Sequence, residues 1–144
     1  MNVKQILSSK GSDVATVAPD ASLADATAAL RDRAVGALVV TPDGDEMVGI
    51  ISERDVVRAL ASHGAGTLGR TVASAMTNEV ITCDPTDSVE ELMAMMTARR
   101  IRHVPVCDQG SLAGIISIGD VVKARLGQLE QENNQLYDYI QGRA

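Results

Sequence analysis

Two residue pairs in this chain, Ser52 with Asp55 and Ser117 with Asp120, share one spacing and one chemistry. A hydroxyl three residues ahead of a carboxylate marks a helix start. The Ser oxygen accepts from exposed backbone N–H groups, and the acidic side chain answers the N–H of the capping residue. The same positions have a second use, because a helix N-terminus gathers unpaired N–H groups and the positive end of the dipole and so receives phosphate. The two uses are compatible: Ser can cap while Asp faces outward. Basic groups stand nearby. Arg54 directly precedes Asp55, and Arg102 and His103 lie ahead of the second pair. An Arg fork suits bidentate contact with phosphate.

Each pair sits in a repeated stretch, GIISERDVV at residues 49–57 and GIISIGDVV at residues 114–122. Both are expected to be a buried strand that runs directly into a helix. The order of elements around them repeats as well. In the first half, residues 3–7 form a lead-in helix and residues 14–17 a strand closed by Pro19. Ser22 caps a helix whose apolar face is Leu23, Ala26, Thr27 and Leu30, and Gly36 ends it. Residues 37–41 and 47–51 make a hairpin, and Ser52 opens a helix to about His63. Residues 64–69 are the linker. In the second half, residues 72–76 are the lead-in helix and residues 80–83 the strand, closed by Pro85. Ser88 is the cap, and Val89, Leu92, Met93 and Met96 follow Leu23, Ala26, Thr27 and Leu30 one for one. Strands at 103–107 and 112–116 lead to the helix from Ser117. The chain therefore divides into a first repeat (1–66), a second (67–125) and a helical extension (126–144), an internal duplication. One repeat alone buries too little apolar surface to be stable. Two packed sheet to sheet cover each other and leave a cleft between them.

The bulk properties remove several function classes. The 144 residues are 45% hydrophobic, so a packed fold is expected. The core is built without Phe or Trp, the aromatics being Tyr137 and Tyr139. A net charge of −6 argues against a nucleic-acid surface. No leader-like or membrane-spanning run is visible, so a cytoplasmic setting with no membrane partner is expected. Cys83 and Cys107 are isolated thiols on apolar strands. With His63 and His103 they lack the spacing of a zinc site. No nucleophile carries a local His and acid signature, Glu90-Glu91 is a charged first helical turn, and no Gly-rich phosphate loop is present. The chain is expected not to be an enzyme.

The repeated order, the two G-apolar-apolar-S-x-x-D endings and the strand IRHVPV at residues 101–106 together resemble a tandem CBS-domain pair, a stand-alone Bateman module of bacterial type. The resemblance covers roughly residues 1 to 125. It implies an α+β fold of two repeats, each strand-helix-strand-strand-helix, packed sheet to sheet about a pseudo-two-fold axis. It also implies an adenine nucleotide in the cleft, AMP first, with ADP, ATP or NAD(H) as alternatives. Carried over residue by residue, Asp55 and Asp120 would hold ribose hydroxyls, while Ser52 and Ser117 with Arg54, Arg102 and His103 would meet phosphate. Thr16, Ile81 and Thr82 fall where family members line the base pocket. The two halves differ: Gly119 stands opposite Arg54, and Gly36 and Ala37 opposite Arg102 and His103. Two non-equivalent sites are therefore expected. The output would be read by an unidentified effector protein. The alternative is a structural or oligomerisation module whose Ser and Asp residues only cap helices.

The C-terminal extension carries its own pattern. Val122, Leu126, Leu129, Asn133, Leu136 and Ile140 follow one another at spacings of 4, 3, 4, 3 and 4. That is a coiled-coil seam with Asn at one core position, where it can fix register. Gly127 weakens it. A homodimer with this tail adding contact is expected, the alternative being a helix packed on its own module.

Overall fold

The computed structural model describes residues 1–142. The elements run α1 (Val3–Lys10), β1 (Thr16–Val17), α2 (Leu23–Arg33), β2 (Ala37–Val40), β3 (Gly49–Ser52) and α3 (Glu53–His63). A 3-10 segment (Gly64–Gly69) leads to α4 (Val72–Ala75), α5 (Val89–Arg99), β4 (His103–Asp108), β5 (Ser111–Ser117) and α6 (Ile118–Ile140). The duplication is visible in α2 and α5, both 11 residues long. Ser22 accepts from the Asp25 N–H and Ser88 from the Glu91 N–H, so each cap satisfies an orphan donor. Leu23, Ala26 and Leu30 are buried in one repeat, Val89, Leu92 and Met96 in the other. Thr27 departs from the expected face: it is exposed, and its hydroxyl donates back to the Leu23 carbonyl. Nor does Gly36 end α2. The left-handed turn falls two residues earlier on Ala34 (φ 52°), as it does on Arg100 (φ 56°) after α5.

In the first repeat β1 pairs parallel with β2, and β2 antiparallel with β3. All four residues of β2 are buried. Leu38 and Val40 join Ile51 and α2 in the core of the first repeat. Ala37 and Val39 point to the other face of the pleat, yet are buried too, so that face is covered by the second repeat. In the second repeat β4 pairs with β5 around Val104, Val106 and Ile116. Their turn has positive φ at Gln109 (51°) and Gly110 (83°), the mirror-image turn whose twist suits a tight hairpin.

The strand expected at residues 80–83 is reduced to one bridge, Cys83 with Val106. The cause is Pro105. In the first repeat the Val39 N–H donates to the Ala15 carbonyl and the Thr41 N–H to the Val17 carbonyl. Pro105 occupies the place of Val39 and has no N–H, so the matching bond to the Ile81 carbonyl cannot form. The next one survives, from the Cys107 N–H to the Cys83 carbonyl. The expected linker is also tighter than a loose connection. Thr67 is fully buried, and its hydroxyl meets the carbonyls of Ala59 (3.2 Å) and Gly64 (2.6 Å).

The lead-in helices are exchanged between the repeats. Val3 and Ile6 of α1 lie in the core of the second repeat, where the Val3 N–H donates to the Asp87 carbonyl. Val72 of α4 lies in the core of the first, its N–H donating to the Ala21 carbonyl. This exchange decides which residues reach each Asp. The chain after α4 arrives beside Asp55, and the end of α1 arrives beside Asp120.

Candidate functional site

A cleft lies between the repeats. Its first wall is Gly36, Ile50 and the start of α3, with Ser52, Glu53, Arg54, Asp55 and Arg58. The second wall is Thr77, Glu79, Val80 and Ile81 after α4, then Arg100, Ile101, Arg102 and His103 after α5. Four arginines thus converge on one groove of an acidic protein. Local helix chemistry sets the first wall. The Ser52 N–H donates to Asp55 Oδ2 (2.9 Å), and the Asp55 N–H donates to Ser52 Oγ (3.3 Å). The cap therefore uses one carboxylate oxygen. The other, Oδ1, meets only the Thr77 hydroxyl, at 3.4 Å. Arg54 reaches across the cleft to the Arg100 carbonyl (3.3 Å) and ties the walls together.

His103 rests on Gly36. A Cβ at Gly36 would stand 2.9 Å from both Cε1 and Nε2 of the ring, so the absence of a side chain in one repeat makes room for the imidazole of the other. Burial pushes the His103 pKa down. Glu53 opposes this, Lys10 and Arg102 reinforce it, and Asp120 opposes it. The net shift is downward, so the ring is neutral at neutral pH and can accept as well as donate a hydrogen bond.

The structure thus brings Ser52, Arg54, Asp55, Ile81, Arg102 and His103 to one cleft. Thr16 lies elsewhere, exposed on β1 and paired with Val39. Thr82 adjoins Ile81 but is exposed and does not line the cleft. Ser117 and Asp120 build their own capping box at the start of α6. The Ser117 N–H donates to Asp120 Oδ2 (2.8 Å), and the Asp120 N–H to Ser117 Oγ (3.2 Å). That carboxylate also holds Lys10, whose Nζ is 2.5 Å from Oδ2. Burial pushes the Asp120 pKa up, but the Lys10 ammonium and the Ser117 donors outweigh it and hold it below the usual carboxylate value.

Sequence reasoning missed Arg58, Arg100, Thr77 and Lys10. Arg58 stands one helical turn after Arg54, a spacing that puts both on one face. With the lead-in helices overlaid, Val3 on Val72, Lys10 falls opposite Glu79, a cation where the other copy has an acid. Elsewhere the ionisable groups offer little chemistry. Cys83 is buried and burial pushes its thiol up to about 12, while burial also raises Cys107, so neither is a thiolate at neutral pH. Among the described residues no three His, Cys, Asp or Glu side chains gather as a metal site. No described helix is long and apolar enough to cross a membrane.

Two α+β repeats with exchanged lead-in helices and a cation-rich cleft between them define a tandem-repeat cleft module. The CBS domain model matches residues 3–62 and again residues 72–127, and the chain belongs to the CBS-domain family as a tandem pair. The fold is α+β. The chain is similar to the crystal structure of a CBS-domain-containing protein from Agrobacterium tumefaciens, with 49% identity and a TM-score of 0.82, covering 86% of this chain and 98% of that one. It is 39% identical over 127 residues to the mitochondrial CBS domain-containing protein CBSX3 of Arabidopsis thaliana, covering 85% of this chain and 62% of that protein. The chain therefore spans less than two thirds of the plant relative. The CBS domain pair of MJ0100 was solved in complex with 5′-methylthioadenosine and S-adenosyl-L-methionine. It is 26% identical with a TM-score of 0.78, covering 89% of this chain and 98% of that one.

Proposed function

We propose that the chain is a regulatory sensor, not an enzyme, that binds an adenine nucleotide in the Asp55 cleft, with AMP the first choice over ADP, ATP and NAD(H). One observation carries this reading: Arg54, Arg58, Arg100 and Arg102 surround a carboxylate that keeps one oxygen outside its helix cap. Asp55 Oδ1 accepts ribose hydroxyls, and the guanidinium forks with the N-terminus of α3 take the phosphate. The carbonyl of Ile81, freed from the strand ladder by Pro105, offers an acceptor for an exocyclic amino group. Val80 and Ile81 supply an aliphatic slot in place of aromatic stacking. The adenosine-based ligands of the MJ0100 pair support the ligand class. Because both repeats line the cleft, an occupant bridges them. It shifts their arrangement to the extent that its affinity differs between the two states. A partner protein in the cytoplasm then reads the change.

A thermal-shift panel of AMP, ADP, ATP, NAD and S-adenosylmethionine tests the reading. A nucleotide at 100 times its Kd stabilises by about 2.7 kcal/mol, a rise of roughly 5–10 °C for a chain of this size. No shift with any of them would favour the second reading, a structural module, which the paired capping boxes at Asp55 and Asp120 also fit.

We further propose a homodimer joined along α6. This helix is continuous for 23 residues. Leu126, Leu129, Leu136 and Ile140 are 61%, 46%, 59% and 70% exposed, and every described residue after Gln128 is exposed, so the seam does not pack on its own module. A short helix standing alone in water is marginal, and a second copy of the same seam would cover it. Truncation after Arg125 is expected to lower the sedimentation coefficient from that of a dimer toward that of a monomer. An unchanged dimer would remove the role of the tail.

A further inference from the structure

The duplication sets a second position, around Asp120, against the Asp55 cleft, and it carries far fewer cations. Where the Asp55 cleft has Arg54, Arg58, Arg100, Arg102 and His103, the matching positions are Gly119, Lys123, Ala34, Gly36 and Ala37. Where the Ile81 carbonyl is freed by Pro105, the matching Ala15 carbonyl already accepts from the Val39 N–H, at 3.0 Å. The lead-in chain differs too. After α4, Thr77 pairs with β3, its N–H donating to the Ile50 carbonyl at 2.8 Å. α1 instead stays helical through Ser8, the counterpart of Thr77, to Lys10, where the Gly11 N–H closes the helix on the Leu7 carbonyl. The Ile115 carbonyl, counterpart of Ile50, would then lose its partner. The Lys10 ammonium fills both vacancies, donating to the Ile115 carbonyl at 2.8 Å and to Asp120 at 2.5 Å.

Resting on the nucleotide reading of the Asp55 cleft, we propose that Lys10 is a built-in occupant of this second position, so that each chain binds one nucleotide and not two. The ammonium holds the carboxylate that a ribose would need. A nucleotide entering there would have to break that pair, leave Lys10 without either acceptor and place its phosphate where Lys123 alone stands in for four arginines. Lys10 is accordingly a specificity-determining residue: it fixes the stoichiometry and leaves the Asp55 cleft as the variable one. The pair is also partly enclosed, the two side chains being 31% and 23% exposed, so salt screens it less than a fully exposed pair.

Two measurements test this. Calorimetry with AMP is expected to give one site per chain in the wild type and in Asp120→Ala, with affinities within about twofold of one another, and a second, weaker site in Lys10→Met, where Asp120 is released. Two AMP sites per wild-type chain, a lost site in Asp120→Ala, or only one site in Lys10→Met would overturn the proposal. The second measurement needs no nucleotide: mass-spectrometric mapping of amine acetylation, comparing Lys10 with the exposed Lys4 and Lys123. Lys10 is expected to react at least several-fold more slowly than both, to speed up in Asp120→Ala, and to be unmoved by saturating AMP. A Lys10 as reactive as Lys4, or one whose rate rises with AMP, would overturn it. Should AMP bind nowhere, the nucleotide reading falls by itself, while the slow acetylation of Lys10 still reports whether the ion pair forms.

Discussion

Asp55→Ala is expected to weaken AMP binding by about 100-fold, while Asp120→Ala leaves it within about twofold. Hydrogen bonds to a charged group contribute roughly 1.5–3 kcal/mol each, and losing the ribose contacts to one carboxylate amounts to about 3 kcal/mol, or two orders of magnitude in Kd. The pair of variants separates affinity from stability. Each alanine removes the acidic half of a capping box at a helix start, from the Ser52 N–H in one and the Ser117 N–H in the other. A comparable cap is therefore lost in both, and each is expected to unfold at a somewhat lower temperature. Only Asp55 has an oxygen left over from the cap and four arginines around it. Asp120 has already given its charge to Lys10. Isothermal calorimetry on the two folded variants measures the difference, and equal losses of affinity would refute the asymmetry between the two positions.

What could be read in the sequence was what is local or repeated. Ser52 and Asp55 lie three residues apart, so their capping geometry is set by one turn of chain, and the same holds for Ser22, Ser88 and Ser117. The buried faces of α2 and α5 followed from helical spacing except at Thr27, which is exposed, and Met93, which is half-buried. The pairing of Lys10 with Asp120 was not legible, because it spans 110 residues and depends on the exchange of α1 onto the second repeat. Nothing in the spacing of residues 1–12 says which repeat they cover. Arg100 entered the cleft by a backbone event, a left-handed turn on a non-glycine residue, where the sequence offered Gly36 as the more obvious stop in the first copy. The missing strand at 80–83 shows the converse: Pro105 was visible and its lost N–H predictable, but its effect falls on a segment 22 residues away, on a pairing that only the fold defines. The asymmetry expected at Glu53-Arg54 against Ile118-Gly119 pointed to the difference in cations. The residue that answers Asp120 lay outside both motifs.

Gly49→Ala is expected to destabilise the fold by about 2–3 kcal/mol, against about 1 kcal/mol or less for Gly114→Ala, although both glycines open the same GIIS motif. Neither has the positive φ that favours glycine, so backbone strain does not decide the outcome. Replacing glycine by alanine would even favour folding by about 0.4–1 kcal/mol through the unfolded chain. Space decides instead. A Cβ at Gly114 meets only the Leu7 side chain, with Cδ2 at 2.6 Å, and a leucine end can rotate away. At Gly49 the Cβ meets Met76 Sδ at 2.6 Å and the Thr77 carbonyl at 2.9 Å. The thioether can swing aside, but the carbonyl accepts from the Ile50 N–H, and the Thr77 N–H donates back to the Ile50 carbonyl. Relieving the clash pulls that bridge apart, and overpacking of this kind costs about 1–3 kcal/mol before the lost hydrogen bonds are counted. Urea unfolding of the two variants measures the gap; equal losses would show that the segment after α4 yields as readily as a side chain. The cost reaches the cleft as well. Thr77 is the residue whose hydroxyl faces Asp55 Oδ1, so a Gly49→Ala protein that still folds is expected to bind AMP several-fold more weakly, whereas Gly114→Ala, whose clash lies on the side of α1 and Lys10, is expected to keep its affinity.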